Sequence, residues 1–472
     1  MATVVTKSAS ADSVNALRSD FRGELILPED KNYEQSRKIW NGMIDKRPLM
    51  IASCSGASDV IKAVKFAHDN DLTISVKGGG HNVAGNAVCE GGLMIDLSRM
   101  KSVRVDPINR TARVEPGVTW RQFDLETQAF GLATTGGLVS STGISGFTLG
   151  GGIGWLVRKY GLALDNLLSV DMVTSKGELV RASMSENTDL FWGVRGGGGN
   201  FGIVTSFEFA LHQVGPIILG GMIAYRAEDG ENLLKFYREF VKEAPDELTT
   251  LVVYLTAPPL PFLPAEVHGK HLIAVVLCYC GPLEEGQRVI SPLRKFGSPV
   301  ADVIQPMPYT ALQSMLDAAA PPNLQNYWKS IYISTLNDPL IDTILSFGSA
   351  ITSPLSSIHI HQLGGAMRRI GDDATAFSNR DAPFAVNILS CWQDASENHK
   401  HLGWAREFFA ALQKFSSGVY VNFMSDDDSA RVKEAYGEDK YNKLVQLKNK
   451  YDPTNFFRLN QNIKPAVLTS AK

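Results

Sequence analysis

The sequence has no hydrophobic run that approaches the roughly 18 residues of a membrane-spanning helix, so we expect no bilayer-spanning segment. It also has no strong excess of charge. Lysine and arginine total 46 against 49 aspartate and glutamate residues, which argues against nucleic acid or an anionic membrane as the main partner. The first ten residues lack the apolar core of a signal peptide, which predicts an intracellular, cytoplasmic protein.

Cysteine is scarce, with five residues that are odd in number and scattered along the chain. This arrangement is neither a disulfide framework nor a metal-ligand spacing. We therefore predict buried free thiols and no metal site. The five residues are Cys54, Cys89, Cys278, Cys280 and Cys391.

Glycine, in contrast, is abundant and clustered, with 42 residues concentrated around 78–80, 131–161 and 196–202. Beyond about residue 216 the chain changes to apolar strands, helical stretches and proline-rich loops. A chain of 472 residues is too long for one ordinary core. We predict a cofactor domain of residues 1–215 and 416–472, interrupted by a substrate domain of residues 216–415.

Hydrophobic spacing predicts helices and strands in irregular alternation. Helical spacing occurs in 57–70 and 120–130. Strand patterns occur in 73–76, 93–97, 102–105, 111–115, 203–209, 272–280, 357–361 and 384–392. The predicted fold class is therefore α+β and not a regular doubly wound series.

The strand at 73–76 runs directly into Gly78, Gly79, Gly80 and His81. Glycine lets the backbone approach a ligand closely and lets successive amides form an anion-binding nest, which suits a pyrophosphate. A tight turn is the alternative for one such loop, and the Rossmann dinucleotide fingerprint is missing. Three glycine-rich loops together indicate one large cofactor, a dinucleotide held in an extended form.

Five motifs, in order, resemble the berberine bridge enzyme-like FAD-linked oxidases of the vanillyl-alcohol oxidase / p-cresol methylhydroxylase superfamily. They lie at 77–82, in the loop ending at 154–155, and at 164–168, 196–202 and 451–463. The resemblance implies a two-part FAD-binding domain of the vanillyl-alcohol oxidase type. It also implies an inserted substrate domain built on an antiparallel sheet backed by helices.

By this resemblance, His81 matches the histidine that bonds covalently to the flavin 8α-methyl group. Val139 stands where some members carry a second, cysteinyl link, so we expect FAD with a single covalent bond. The other implied FAD contacts are Val76, Lys77, Gly78, Gly79, Gly80, Asn82, Val139, Thr142, Gly143, Ser145, Gly146, Gly150, Gly152, Gly154, Gly202, Ile203, Val204, Asn460 and Asn462.

Candidate catalytic residues lie on strands that the family places over the flavin. His359 and His361 share one face of a strand. We predict that this face lines the active site. The alternatives are that the face is exposed to solvent or that the two histidines are paired polar residues of the core. His361 falls where related oligosaccharide oxidases carry an acid, and Asn387 falls where relatives carry glutamine or glutamate. Asp394 is the nearest carboxylate, with a turn role as its alternative. Tyr420 belongs to a Tyr-x-Asn-Phe motif and is a further candidate, with simple packing as its alternative.

The family chemistry is hydride transfer from substrate to flavin, with dioxygen as acceptor and release of hydrogen peroxide. The primary prediction is a carbohydrate oxidase that acts on the anomeric carbon of an oligosaccharide such as cellobiose. Oxidation or dehydrogenation of aromatic alcohols or alkaloid-like metabolites is the alternative, and a flavin-storing relic is a third hypothesis. Thr142 occupies the place of a small residue thought to admit dioxygen, which favours an oxidase. The oligomeric state is left open.

Overall fold

The computed structural model describes residues 10–466 of the chain. The residues before 10, on which the signal-peptide prediction rests, and those after 466 lie outside the described part. Within residues 10–466, no helix is both long and apolar enough to span a membrane. The five cysteines are free, four of them buried and Cys280 partly so.

Fifteen α-helices occur in the described chain. They are α1 (Ala11–Ser19), α2 (Tyr33–Ser36), α3 (Ala57–Asp69), α4 (Trp120–Gln128), α5 (Ile144–Leu149), α6 (Val157–Tyr160), α7 (Thr188–Val194), α8 (Gly230–Phe240), α9 (Leu283–Lys295), α10 (Tyr309–Gln313), α11 (Asp338–Ser349), α12 (Ala366–Arg369), α13 (Asn398–Leu412), α14 (Val432–Tyr436) and α15 (Glu438–Tyr451).

Twenty strands occur in the same residues. They are β1 (Glu24–Ile26), β2 (Met50–Ser53), β3 (Ile74–Lys77), β4 (Leu93–Asp96), β5 (Val103–Asp106), β6 (Thr111–Val114), β7 (Leu132–Ala133), β8 (Leu167–Val173), β9 (Leu179–Ser183), β10 (Ile203–Ala210), β11 (His212–Gln213), β12 (Ile217–Arg226), β13 (Leu248–Thr256), β14 (His271–Tyr279), β15 (Ala301–Asp302), β16 (Gln305–Pro308), β17 (Gln325–Ile333), β18 (Ser357–Gln362), β19 (Phe384–Trp392) and β20 (Ser416–Gly418).

The N-terminal half contains two sheets that carry the glycine loops. A four-stranded sheet has the order β1-β2-β4-β3, in which β4 runs parallel to both β2 and β3. A five-stranded sheet has the order β5-β6-β10-β8-β9, and its neighbours pair antiparallel. The first glycine loop leaves the end of β3, and the third enters β10. Two sheets therefore bring distant loops to one place.

The third sheet has nine strands and runs from β15 through β12, β14, β13, β18, β19 and β17 to β20, with β16 also paired to β12. One face packs against α8, α9, α11 and α13 over a large buried apolar cluster. This confirms the α+β class and the antiparallel sheet backed by helices. We keep 216–415 as the proposed substrate domain, while β20, just beyond it, joins the same sheet.

The C-terminal segment returns to the glycine loops through a buried ion pair. Lys448 and Asp452 are fully buried, with Nζ and Oδ2 2.6 Å apart. Lys448 Nζ also donates to the carbonyl oxygens of Asn200 and Phe457, at 2.8 and 2.9 Å. Asp452 accepts from the amides of Phe456 and Phe457. The pair therefore fastens the closing motif to the third glycine loop.

We expect Lys448→Met to remove about 3–5 kcal/mol from the free energy of unfolding, because it leaves a buried carboxylate without its counter-ion. Urea titrations would measure this loss. Lys450→Met is the matched control, since Lys450 pairs with Asp189 at the surface and an exposed pair is worth about 1 kcal/mol or less. Equal losses in the two variants would contradict the assigned role of the Lys448–Asp452 pair.

Candidate active site

A cavity of about 760 Å³ lies between the glycine loops and the uncovered face of the nine-stranded sheet. Its lining comes from both halves of the chain, from Trp40 near the N-terminus to Gln461 near the C-terminus. Large clefts with an apolar lining and few convergent polar groups are the usual sites of cofactors and small substrates.

The glycine loops make one wall of this cavity by direct backbone contact. A Cβ atom added to Gly79 would lie 2.5 Å from the Cα atom of Gly143, so neither loop tolerates a side chain there. Gly146, Gly198 and Gly199 also line the cavity, and a Cβ atom added to any of them would meet no protein atom within 4 Å. The wall thus offers bare backbone beside open space, the surface that a bound dinucleotide needs.

His81 stands at the end of the first glycine loop, on the cavity wall. Its ring stacks on that of Trp40, with 4.5 Å between centroids and 18° between planes. Its Nε2 atom lies 3.3 Å from Ser141 Oγ. Burial lowers the pKa of His81 to about 4, so the imidazole is neutral near pH 7 and one of its two ring nitrogens carries a lone pair.

Most of the residues that the sequence nominates for FAD lie together on this cavity. Those that line it are Val76, Gly78, Gly79, Gly80, His81, Asn82, Val139, Thr142, Gly143, Ser145, Gly146, Gly150, Gly202, Ile203, Val204 and Asn460.

Four nominated residues lie behind the lining. Lys77 Nζ is held by the Ser36 carbonyl oxygen at 2.8 Å and by Asp96 at 3.1 Å. The Gly152 amide donates to Tyr420 Oη, and a Cβ atom on Gly154 would collide with the Gly136 carbonyl oxygen. Asn462 also lies outside the lining, although its Oδ1 atom is buried without a partner. None of the four residues lies on the lining, and Lys77, Gly152 and Gly154 contact other protein groups, so direct contacts of the four with FAD stay predictions.

The opposite wall is the open face of the nine-stranded sheet. Cross-strand pairing aligns Ala224, Ala274, Val253, His359 and Asn387 in one row, which changes from apolar to polar along its length. The apolar half also presents Met222, Leu255, Leu272 and Val276, and the loop between β13 and β14 adds Leu260, Phe262 and Leu263. The sheet wall is therefore mainly apolar, with one polar end.

The polar end holds the two histidines and the asparagine that the sequence nominates. His359, His361 and Asn387 all line the cavity. His361 Nε2 and Asn387 Oδ1 are buried without a hydrogen-bond partner, whereas His359 Nε2 lies 3.1 Å from Ser357 Oγ. Burial lowers the pKa of His359 to about 4 and that of His361 to about 3. Both imidazoles are consequently neutral. Nε2 of His361 and Oδ1 of Asn387 are available to accept hydrogen bonds from a ligand.

Asp394 and Tyr420 both lie outside the cavity lining. Asp394 is exposed, lies outside the cavity lining and accepts a hydrogen bond from the Ser396 amide, so its alternative role as a turn residue fits the structure and the catalytic role does not. Tyr420 Oη accepts from the Gly152 amide and from Asn422 Nδ2, both at 2.8 Å. Burial raises the pKa of Tyr420 to about 12. Tyr420 thus braces the second glycine loop from behind.

Three features of the site were not recognised from the sequence. Trp40 lies outside every motif, and only the fold brings it against His81. The apolar wall was missed because a strand that is hydrophobic on both faces does not reveal which face packs on helices. The proline-rich loop around 258–264 was visible as a loop, but not as a wall of the cavity.

Comparison with known proteins agrees with this geometry. Residues 48–183 match a family model described as an FAD binding domain, which makes the chain a flavoprotein by class. Residues 419–464 match the model described as berberine and berberine like. An FAD-linked oxidoreductase of Dictyostelium discoideum is 33% identical over 464 residues, covering 97% of this chain and 98% of that protein. The chain therefore belongs to the berberine bridge enzyme-like FAD-linked oxidoreductases.

Solved structures give the same fold. The crystal structure of 6-hydroxy-D-nicotine oxidase from Arthrobacter nicotinovorans superimposes with a TM-score of 0.85 at 32% identity, covering 94% of this chain and 98% of that one. A chitooligosaccharide oxidase superimposes with a TM-score of 0.83 at 24% identity, covering 96% and 99% of the two chains. The similarity to the chitooligosaccharide oxidase supports the fold alone.

The residues of the cavity fit FAD on their own chemistry. The bare glycine wall can receive the pyrophosphate, neutral His81 lies at its edge, and Asn460 Oδ1 is buried on the lining without a partner. Thr142 faces the same space. The chain is accordingly an FAD-dependent oxidoreductase.

Proposed function

We propose that the protein is an FAD-dependent oxidase of aromatic alcohols or alkaloid-like metabolites, with its flavin bound through a single covalent link at His81. The observation that carries the proposal is the sheet wall, which is apolar over most of its length and has its polar groups concentrated around His359, His361 and Asn387. Such a wall suits a substrate with an apolar body and one reactive polar group.

The same wall argues against the carbohydrate reading, which was the primary prediction from the sequence. An oligosaccharide carries hydroxyl groups all around its rings, and each hydroxyl buried without a partner costs about 1–3 kcal/mol. Beside the apolar half, formed by residues such as Met222, Ala274 and Leu255, these hydroxyls would find few partners. The polar end alone matches one or two groups of a sugar.

When bound, FAD supplies the hydride acceptor, and dioxygen then takes the electrons to give hydrogen peroxide. We assign His361 Nε2 to the proton of the substrate hydroxyl, because this atom is buried, unpartnered and on the lining. Asn387 cannot act as a base, and we assign its free Oδ1 to orienting the substrate. His359 is held by Ser357 and completes the polar end.

The link at His81 requires a neutral imidazole, and its lowered pKa provides one. A ring nitrogen of His81 would bond to the 8α carbon of bound FAD; the N–H group and this carbon would each lose one hydrogen, and dioxygen would accept the two protons and two electrons as hydrogen peroxide. Val139 carries no thiol, which supports a single link.

Anaerobic titration of the flavin absorbance tests the substrate class. Aromatic alcohols and cellobiose-type sugars are added without oxygen, and air is then admitted. We expect bleaching by aromatic alcohols and rapid recovery in air. Bleaching by sugars alone would return the assignment to a carbohydrate oxidase, and slow recovery in air would indicate a dehydrogenase. A flavin that no compound of either class bleaches would favour the storage hypothesis.

The pH dependence of flavin reduction follows from the lowered histidine pKa values. His359 and His361 stay neutral above about pH 5, so we expect no loss of rate near pH 6.5, the ordinary histidine pKa. Stopped-flow reduction between pH 5 and 8, with an aromatic alcohol that bleaches the flavin, measures this profile. An inflection near pH 6.5 that disappears in His361→Gln would contradict it.

The same shifts contribute to the loss of stability of the protein in acid. The unfolded chain binds protons at these histidines below about pH 6.5, whereas the folded chain binds them only near pH 3–4. Their stabilising contribution is therefore complete above pH 6.5 and is lost as the pH falls from there towards 4.

A further inference from the structure

The ring of Trp40 packs against one face of the His81 imidazole, and both residues lie on the cavity lining. The two rings are nearly parallel, 4.5 Å apart, and Trp40 itself is buried. An aromatic pair of this kind is worth about 0.5–1.5 kcal/mol beyond the area it buries. Without such a neighbour the outer torsion of a histidine is broad, because it joins sp³ and sp² atoms.

Trp40 is itself fixed by three hydrogen bonds to backbone atoms. Its amide donates to the Gly80 carbonyl oxygen at 2.9 Å, and its carbonyl oxygen accepts from the Asn323 amide at 2.9 Å. Its indole Nε1 donates to the Ala320 carbonyl oxygen at 3.0 Å. The ring of Trp328 packs edge-on against it. The position of the indole is therefore fixed by hydrogen bonds to the first glycine loop and to the segment that leads into β17.

A second contact limits rotation of the imidazole within its own plane. His81 Nε2 lies 3.3 Å from Ser141 Oγ, in the loop that follows Val139. The partner of one ring nitrogen sets which nitrogen carries the proton. Stacking on Trp40 fixes the plane of the imidazole ring, and the contact with Ser141 fixes the rotation of the ring within that plane. The in-plane lone pair of the imidazole therefore keeps one orientation.

We propose that Trp40 is a positioning residue for covalent flavin attachment, with Ser141 as its partner, and that it acts by holding the His81 ring ready to bond. The inference rests on the proposed link at His81. Orientation alone changes the rate of such a step by large factors, and a misplacement near 1 Å can cost about a hundredfold. The effect falls on the rate of attachment and not on the affinity for FAD.

The test follows attachment directly and needs no substrate. Full-length variants are incubated with excess FAD, and the flavin absorbance retained in acid precipitate is followed with time. We expect Trp40→Ala to slow attachment by about tenfold to a hundredfold. Trp40→Phe keeps a stacking ring and should stay within about threefold of the wild type, and Ser141→Ala should fall between the two.

Trp404→Leu is the matched control. Trp404 is as buried as Trp40, and its indole also donates to a backbone carbonyl oxygen, that of Phe347, but it lies in α13 behind the sheet. Attachment in Trp404→Leu should match the wild type. A Trp40→Ala variant that attaches flavin at the wild-type rate, or Phe and control variants that are equally slow, would overturn the inference.

Two further measurements distinguish failure of this inference from failure of the proposed covalent link at His81. FAD affinity is compared between His81→Ala and the double variant with Trp40→Ala, where no link can form. A large loss of affinity in the double variant would make Trp40 a binding residue and overturn the positioning role. Wild-type protein without acid-stable flavin would refute the link at His81 and the inference together, whereas linked wild type with unchanged Trp40→Ala refutes the inference alone.

Discussion

Replacing His81 by alanine should abolish acid-stable flavin altogether. The wild-type protein should keep its yellow colour in the acid precipitate, whereas His81→Ala should release all of it to the supernatant. The reason is that His81 is the neutral nucleophile at the edge of the glycine wall, and Val139 can supply no second bond. Absorbance of pellet and supernatant after precipitation measures the effect.

Asn82→Ala is the control for this experiment. Asn82 follows His81 and lines the same cavity, so the variant disturbs the loop without removing the nucleophile. It should keep its flavin in the precipitate. Flavin that stays in the precipitate of His81→Ala would instead place the bond on another residue.

His361→Leu should slow reduction of the flavin by an aromatic alcohol by a factor of about 10², the lower end of the range for a positioned proton acceptor, because its pKa of about 3 makes His361 a weak base. Leucine removes the unpartnered Nε2 atom that we assign to the substrate hydroxyl proton. The loss should appear in the rate of anaerobic reduction at saturating substrate, because binding of the apolar body is left intact. Stopped-flow absorbance measures it.

His271→Leu is a matched control on the same sheet. His271 also carries a buried, unpartnered ring nitrogen, but it packs beside Tyr254 outside the cavity lining. Its replacement should leave the rate of reduction within about threefold of the wild type. If His361→Leu reduces its flavin at the wild-type rate, the proton acceptor lies elsewhere in the site.

Local patterns predicted much of the fold because they report local forces. The alternation in 111–115 and the apolar run in 93–97 became β6 and β4 within one residue of the predicted ends. The helix at 57–70 became α3. The glycine loops were predicted to meet at one ligand, and the contact between Gly79 and Gly143 shows why these positions carry no side chain.

The substrate class was harder to predict because it depends on which side chains the sheet presents to the cavity. The pair of histidines drew attention to polar chemistry, while Ala224, Ala274 and Val253, which the pairing of β12, β14 and β13 aligns on the same wall, carry no polar group that marks a site in the sequence. Asp394 was nominated by its closeness in sequence to β19, but the chain turns and leaves it in solvent. Strand register, and not proximity along the chain, decides which side chains of the sheet reach the cavity.

The closing motif also affects the stage of protein synthesis at which the chain can bind its flavin. The cavity lining includes Leu459, Asn460 and Gln461, and the Lys448–Asp452 pair fastens them to the third glycine loop. A ribosome adding about 5–20 residues per second takes roughly ten seconds to a minute to travel from Val204 to this motif. During this time the cavity of the nascent chain lacks the part of its lining that the closing motif supplies. We therefore expect flavin capture only after this motif has been synthesised, so that chains stalled before it stay colourless.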